Sequence, residues 1–195
     1  MIRESLIALR LTIVTLLLTG LIYPLVATGL CQALFSHQAA GSLLKDEQGK
    51  VIGSELIGQP FASPAYFQPR PSAAGAGYDG QASGGSNLGS TSQKLRDRLT
   101  ADVERLKKEN LDAPLPIPVD LVTASASGLD PHISLAAALW QVPRIAKARP
   151  ETSAERIGRV VESQVEGRDL GLLGEARVNV LLLNLALDRQ FGKPH

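Results

Sequence analysis

The sequence predicts an α+β protein: one N-terminal transmembrane helix, then a single helix-rich soluble domain with a few short strands. Three observations carry this reading. Twenty-six consecutive residues, 11–36, hold no formal charge. Four later segments repeat apolar residues at helical spacing or form long apolar runs. A charged, Gly-containing turn at residues 45–50 leads into Val51-Ile52, a short strand candidate.

The uncharged run begins right after Arg10. A spanning helix needs ~20 mostly apolar residues rising ~1.5 Å each, so this run is long enough to cross a bilayer with tilt. It is too long for a signal h-region of ~7–15 residues, and Gln38-Ala39-Ala40 is a poor cleavage site. A lipid-modified Cys31 is disfavoured by Leu30, where such signals place a small residue. The expected division is a cytoplasmic tail over residues 1–10, a transmembrane helix over 11–36 and an extracytoplasmic soluble domain over 37–195. Arg3 and Arg10 precede the span, whereas Lys45 and Lys50 follow it among Asp46 and Glu47. Positive charge before the span and a short N-terminal tail both favour an inside N-terminus.

Ala8, Thr12, Thr15, Thr19 and Tyr23 recur at steps of four, three, four and four, which is one helix face. Two readings stand. Small and hydroxyl residues suit close approach of another helix, or the Thr hydroxyls bond back to carbonyls of their own helix. Pro24 favours a partner, because it frees the Gly20 carbonyl and neighbouring helices help satisfy such groups.

Beyond the span, Phe61, Tyr66 and Phe67 stand among Pro60, Pro64, Pro69 and Pro71, an ordered irregular segment. Residues 73–92 are rich in Gly, Ser and Ala, the composition of a flexible linker. Ser92 then caps a helix to Asn110, with Leu95, Leu99, Val103 and Leu106 on one face. Pro114, Pro116 and Pro118 impose an extended segment into residues 119–122. A second helix is expected from Asp130-Pro131, with Asp130 as N-cap, through Leu135, Leu139, Val142 and Ala146 and kinked at Pro143. Residues 153–165 form a third, and residues 178–187 a nearly all-apolar fourth.

Charge and composition exclude several function classes. Twenty Lys and Arg oppose nineteen Asp and Glu, so no basic surface for nucleic acid is expected. Cys31 is the only cysteine, which rules out an internal disulfide and a Cys-based metal cage. The three histidines make a poor metal set, since His37 and His195 lie near the two ends of the soluble domain. Residues 84–91 fit G-x-x-x-x-G-x-[ST], but Ser90 stands where a phosphate-binding loop needs Lys and no strand precedes it, so a structural loop is expected. Ser125, Ser127, Asp130 and His132 gather a hydroxyl, a carboxylate and an imidazole within eight residues. A membrane-anchored hydrolase using Ser127, His132 and Asp130 is the competing reading, although no G-x-S-x-G elbow surrounds the serines and a turn with a cap is simpler. Asn179 and Asn184 interrupt an apolar run, as core hydrogen bonders by default or as subunit contacts.

Several blocks carry a family resemblance: Gly53-Ser54-x-Leu56-Ile57-Gly58-Gln59-x-Phe61, Tyr66-Phe67-x-x-Arg70-Pro71-Ser72, and Ser86-Asn87-Leu88-Gly89. The longest runs from Ile117-Pro118-x-Asp120 through Ser125-Ala126-Ser127-Gly128-Leu129-Asp130-Pro131-His132-Ile133-Ser134, and the last is Val178-Asn179-Val180-Leu181-x-Leu183-Asn184. In this order, with the N-terminal anchor, they resemble the C subunit of the bacterial high-affinity potassium-transporting P-type ATPase, the Kdp system.

That resemblance implies an accessory subunit without catalytic residues or an intrinsic cofactor, ATP and K+ being handled by the complex. The implied partners are a channel-like A subunit that passes K+, a B subunit that hydrolyses ATP, a small F subunit and the lipid bilayer of the inner membrane. It implies roles in assembly and as a catalytic chaperone raising the nucleotide affinity of the ATPase subunit. Thr12, Thr15, Thr19, Tyr23 and Pro24 are then helix-packing candidates. Arg70, Asn87, Asp120, Ser125, Ser127, Asp130, His132, Asn179 and Asn184 are interface candidates. An outward-facing domain cannot touch cytoplasmic nucleotide, so assembly ranks above direct nucleotide binding. A free-standing anchored scaffold is a third reading.

Overall fold

The computed structural model describes residues 2–46 and 48–194, so Glu47 of the charged turn and the terminal His195 lie outside it. The chain forms two compact units, one ending at Ser54 and one beginning at Glu55.

The first unit is led by a continuous 33-residue helical stretch, Ile2–Leu34, long and apolar enough to cross a membrane. Helix α1 (Ile2–Leu17) takes in the charged residues Arg3, Glu4 and Arg10, so residues 2–10 of the expected tail are helical too. Between α1 and α2 (Tyr23–Leu34) lies a π-helical turn, Leu18–Ile22, where the Tyr23 N–H donates to the Leu18 carbonyl. This widened turn directly precedes Pro24, and such local adjustments re-satisfy backbone groups beside a helix proline. Thr15 Oγ1 donates to Leu11 O at 2.7 Å and Thr19 Oγ1 to Thr15 O at 2.8 Å. Those two donors are occupied within the helix, which leaves small size as the packing value of Thr15 and Thr19. After the short α3 (Ser36–Ala39), β1 (Leu43–Lys45) and β2 (Val51–Ser54) pair antiparallel as the expected hairpin.

The second unit is helices packed against a small sheet. Helix α4 (Gln93–Glu109) is capped by Ser92, whose side chain accepts from the Leu95 N–H, and only its Leu106 is fully buried. A 3-10 turn, Val119–Leu121, replaces the extended segment expected after the prolines and turns Leu121 inward. Helix α5 (Leu135–Ala148) continues across Pro143 and supplies the buried Trp140, Val142 and Ile145. Helix α6 (Ala154–Ser163) buries Ile157, Val160 and Val161, and α7 (Val180–Phe191) buries Leu183 and Leu187. These side chains close around Phe67, Ile133 and Val178 as one apolar core. Each large side chain fully withdrawn from water contributes ~1.5–3 kcal/mol before ordering costs.

Strands β3 (His132–Ser134), β4 (Val165–Glu166) and β5 (Arg177–Asn179) form an antiparallel sheet in the order β3-β5-β4. The register sets Ile133 against Val178 and Val165 against Val178. Alternation along the strands therefore puts these three on the core face and His132, Ser134, Glu166 and Arg177 on the other.

This sheet corrects three expected boundaries. Helix α5 starts after Ser134, which caps it by accepting from the Ala137 N–H, and not at Asp130-Pro131. The Asp130 side chain is instead turned onto the His132 N–H at 3.0 Å, and the strand takes residues 132–134. Helix α7 starts at Val180 because residues 177–179 pair as β5, and α6 ends at Ser163 so that Val165 can join β4. Short apolar runs carry the same pattern in a buried strand and a buried helix end, and pairing decides between them.

The Gly- and Ser-rich stretch 73–92 is likewise no free linker. Ala74 is fully buried, Ser72 Oγ accepts from the Ala74 and Tyr78 N–H groups, and the Gly84 N–H donates to Ser127 O at 2.8 Å. Composition measured the missing side-chain bulk, and here that bulk is missing because two backbones meet.

Candidate functional site

Two polar assemblies dominate the second unit. The first is built around residues 64–68, which lie outside any strand yet bury Ala65 and Phe67. Asn184 on α7 accepts from the Phe67 N–H at 2.8 Å and donates to the Phe67 carbonyl at 3.0 Å. Gln141 on α5 does the same for Gln68, at 2.8 and 3.0 Å. Arg144 donates to the carbonyls of Pro64 and Tyr66, and Arg149 Nε to that of Ala65 at 3.0 Å. Four side chains therefore do for this segment what a neighbouring strand does in a sheet.

Arg144 is buried among neutral acceptors, with Asn110 Oδ1 at 3.0 Å and Gln141 Oε1 at 2.7 Å completing its shell. Burial is the largest influence on it and lowers its pKa to about 10. Arg149 is paired with Asp188 at 2.7 Å and lies over the Tyr66 ring. The Tyr66 hydroxyl donates to the other Asp188 oxygen at 2.7 Å. Burial first, and then the Asp188 carboxylate, push the Tyr66 pKa up to about 12.

The second assembly is a row of alternating charge. Arg70 Nη1 meets Asp130 Oδ2 at 3.2 Å, and Asp130 Oδ1 meets His132 Nδ1 at 3.3 Å. His132 Nε2 faces Glu166 at 3.6 Å, and Arg177 bonds both Glu166 at 3.0 Å and Asp169 at 3.4 Å. Period-2 alternation explains why residues from three strands line up here. Partial burial works to raise the Asp130 pKa, but hydrogen bonds from His132 and the Arg70 charge outweigh it and hold the carboxyl below its ordinary value. Hydrogen bonding to Asp169, followed by Glu166, pushes Arg177 the other way, above its ordinary value. Arg70 and Asp130 stand between two open clefts of about 580 and 420 Å³, the first lined by residues 124–127 and the second by Asp120, His132 and Glu175.

The remaining residues singled out from sequence fall into place around this row. Asp120 Oδ2 accepts from the Ser134 N–H at 2.7 Å and so holds the end of β3. Ser127 Oγ accepts from the Leu129 N–H at 3.1 Å and lies 3.5 Å from Ser125 Oγ. Neither serine bonds His132, whose two ring nitrogens both face carboxylates, so the nucleophile–base pair a hydrolase needs is not assembled. Asn87 is exposed at φ +50°. Asn179 caps α7 through the Leu182 N–H and donates to Glu55 O at 2.9 Å, a buried role like that of Asn184. In the glycine loop, a Cβ on Gly85 would meet Ala126 O at 2.9 Å, and on the facing segment a Cβ on Gly128, at φ +67°, would meet Ala74 N and Gly84 O at 2.6 Å. Those glycines let two backbones touch; they do not cradle a ligand. Among the described residues, no three His, Cys, Asp or Glu side chains stand together to hold a metal ion.

Sequence reasoning missed Gln141, Arg144, Arg149, Glu166, Arg177 and Asp188. A signal for the first two existed: they fall on the same stripe of α5 as Ala137, Ala138 and Ile145, where a polar residue must be bonded.

A family model described as "K+-transporting ATPase, c chain" matches residues 5–189. The potassium-transporting ATPase KdpC subunit of Myxococcus xanthus is 62% identical over 185 residues, covering 95% of this chain and 87% of that protein. Those of Methylobacterium nodulans and Bradyrhizobium diazoefficiens are 58% and 54% identical, covering 91% and 99% of this chain and 92% and 100% of theirs. With the span, the order of the motifs and a match across nearly its whole length, the chain belongs to the KdpC family of K+-transporting ATPase c chains.

Proposed function

We propose that the protein is the non-catalytic accessory subunit of an ATP-driven K+ uptake complex, needed for its assembly and stability. The anchor crosses the bacterial inner membrane with its N-terminus inside. Its stripe of Thr12, Thr15, Thr19 and Tyr23, with Pro24, packs against helices of the complex. The soluble domain lies outside, against the channel-like A subunit, with the ATP-hydrolysing B subunit and the small F subunit completing the assembly. The observation that supports this reading is the match of residues 5–189 to the K+-transporting ATPase c chain, together with an N-terminal helix long and apolar enough to cross a membrane.

On this topology, any chaperone effect on nucleotide affinity reaches the ATP site as coupling through the membrane subunits, which requires differential contacts in two states. Co-purification of the tagged full-length chain with a potassium-stimulated ATPase tests the subunit role. Purification alone after gentle detergent extraction sinks it. Protease cutting of the domain in intact spheroplasts tests the topology, and protection until lysis reverses it.

A further inference from the structure

His132 sets one ring nitrogen against each of two carboxylates: Nδ1 lies 3.3 Å from Asp130 Oδ1 and Nε2 lies 3.6 Å from Glu166 Oε2. A neutral imidazole carries a single N–H, so one of the two carboxylates then faces a bare ring lone pair. An imidazolium carries two N–H groups and answers both. The difference bears on the sheet, because Asp130 leads into β3 while Glu166 ends β4, and β5 lies between those strands. The His132–Glu166 contact reaches over β5 and ties its two neighbours together. Strand β4 is short and pairs with β5 at Val165 and Glu166 alone, and every residue of the following turn, 167–176, is exposed. Glu166 is therefore where that turn leaves the sheet.

The charged groups around His132 come from each element beside it. Arg70 pairs with Asp130 at 3.2 Å, and Arg177 on β5 bonds Glu166 at 3.0 Å and Asp169 at 3.4 Å. Asp120 on the 3-10 turn accepts from the Ser134 N–H at 2.7 Å, and Glu175 lines the same cleft as His132. Glu55 reaches this face through its carbonyl, which accepts from Asn179, the register partner of His132. Helix α5 carries no charge before Arg144. With the imidazole neutral, Arg70 and Arg177 are outnumbered by the carboxylates, and a proton on His132 fills the one position where the alternation of charge is broken. Asp130, held below its ordinary value of 3.8, keeps its charge throughout the range of about pH 5–8 in which imidazoles titrate.

We infer that His132 is a pH-sensitive clasp of the three-stranded sheet: with a proton taken from water it ties Glu166 on β4 to the Asp130 end of β3 and holds the turn 167–176 in, and with that proton returned it lets the turn open. Every group in the clasp belongs to this chain, so it stands apart from the accessory-subunit reading.

Amide hydrogen exchange of the full-length chain in detergent tests the clasp, with each rate divided into that of the unfolded peptide at the same pH so that the chemistry of exchange cancels. Protection of residues 165–173 should fall about threefold from about pH 5.5 to about pH 7.5, the size of change that one partly exposed ion pair gives. The fall should disappear in His132→Gln, whose amide does not titrate. It should disappear equally in Glu166→Gln, which keeps the imidazole and removes the carboxylate on β4. A flat profile in the wild-type chain overturns the clasp, and so does a fall as large as the wild-type one in either variant. The Glu166 side chain is 41% exposed, so its variant keeps the measurement decisive even where His132→Gln fails to fold.

Discussion

Asn184 bonds both polar groups of the Phe67 backbone, accepting from its N–H at 2.8 Å and donating to its carbonyl at 3.0 Å. The two residues are 117 positions apart, and both are buried. The contact fixes the irregular segment around Phe67 to the face of α7.

Asn184→Leu keeps the branched outline of the side chain, with somewhat more bulk, but leaves a buried donor and a buried acceptor without partners. It should cost about 2–4 kcal/mol, seen as a lowered urea midpoint of the full-length chain in detergent. A loss under about 0.5 kcal/mol would mean that the segment finds other partners.

Among the ion pairs of the described residues, Arg149 with Asp188 is the most enclosed, and Tyr66 shares its carboxylate. Arg149→Met strands the Asp188 charge and releases the Ala65 carbonyl, so a loss of about 3–5 kcal/mol is expected. Arg149→Met/Asp188→Leu should cost less than the two single changes summed. A strictly additive double-mutant cycle would contradict the coupling.

Gly128→Ala combines an unfavourable φ of +67° with a Cβ placed 2.6 Å from Ala74 N and from Gly84 O. About 2–4 kcal/mol of stability should be lost as residues 74 and 84 are forced off residue 128. Gly89→Ala, with nothing within 4 Å, is the control and should stay within about 0.5 kcal/mol. Thermal unfolding of the two variants side by side separates them.

The Asp130 carboxyl is held below its ordinary value of 3.8 in the folded chain. Its contribution is therefore fully present above that value and is lost as pH falls through the lower, folded-state pKa. Asp130→Asn cannot titrate. It should be less stable than wild type at pH 6 and lose less on further acidification below about pH 4. Urea midpoints across that range measure it, and parallel curves for the two proteins would remove Asp130 from the acid response.

The soluble helices were legible because packing on one side imposes a period on a long segment, as in the stripe of Leu95, Leu99, Val103 and Leu106, and the anchor because its uncharged run is long enough to span a bilayer. The three-stranded sheet was not, because each strand is two or three residues long and abuts a helix. In Arg177-Val178-Asn179 nothing local separates β5 from the first turn of α7. Asp130 followed by Pro131 reads as a helix start until the side chain is seen bonding the His132 N–H. Of the site, His132, Asp130 and Arg70 were visible as residue types. Their carboxylate and guanidinium partners on β4 and β5 depend on a register that only pairing reveals.

The support of residues 64–68 by side chains has a consequence for how this protein can vary. A sheet partner accepts nearly any sequence, because backbone bonds ignore side-chain identity. Here the path of one stretch is encoded elsewhere, at Gln141, Arg144, Arg149 and Asn184. Substitutions at Pro64 and Gln68 should be forgiven, whereas Ala65 and Phe67 are held by burial and Tyr66 by its bond to Asp188. A single change at one of the four remote positions removes a support that nothing local restores. The information for this loop is inherited with two helices, and a chimera that exchanges the loop alone should fold more readily than one that exchanges α5 or α7.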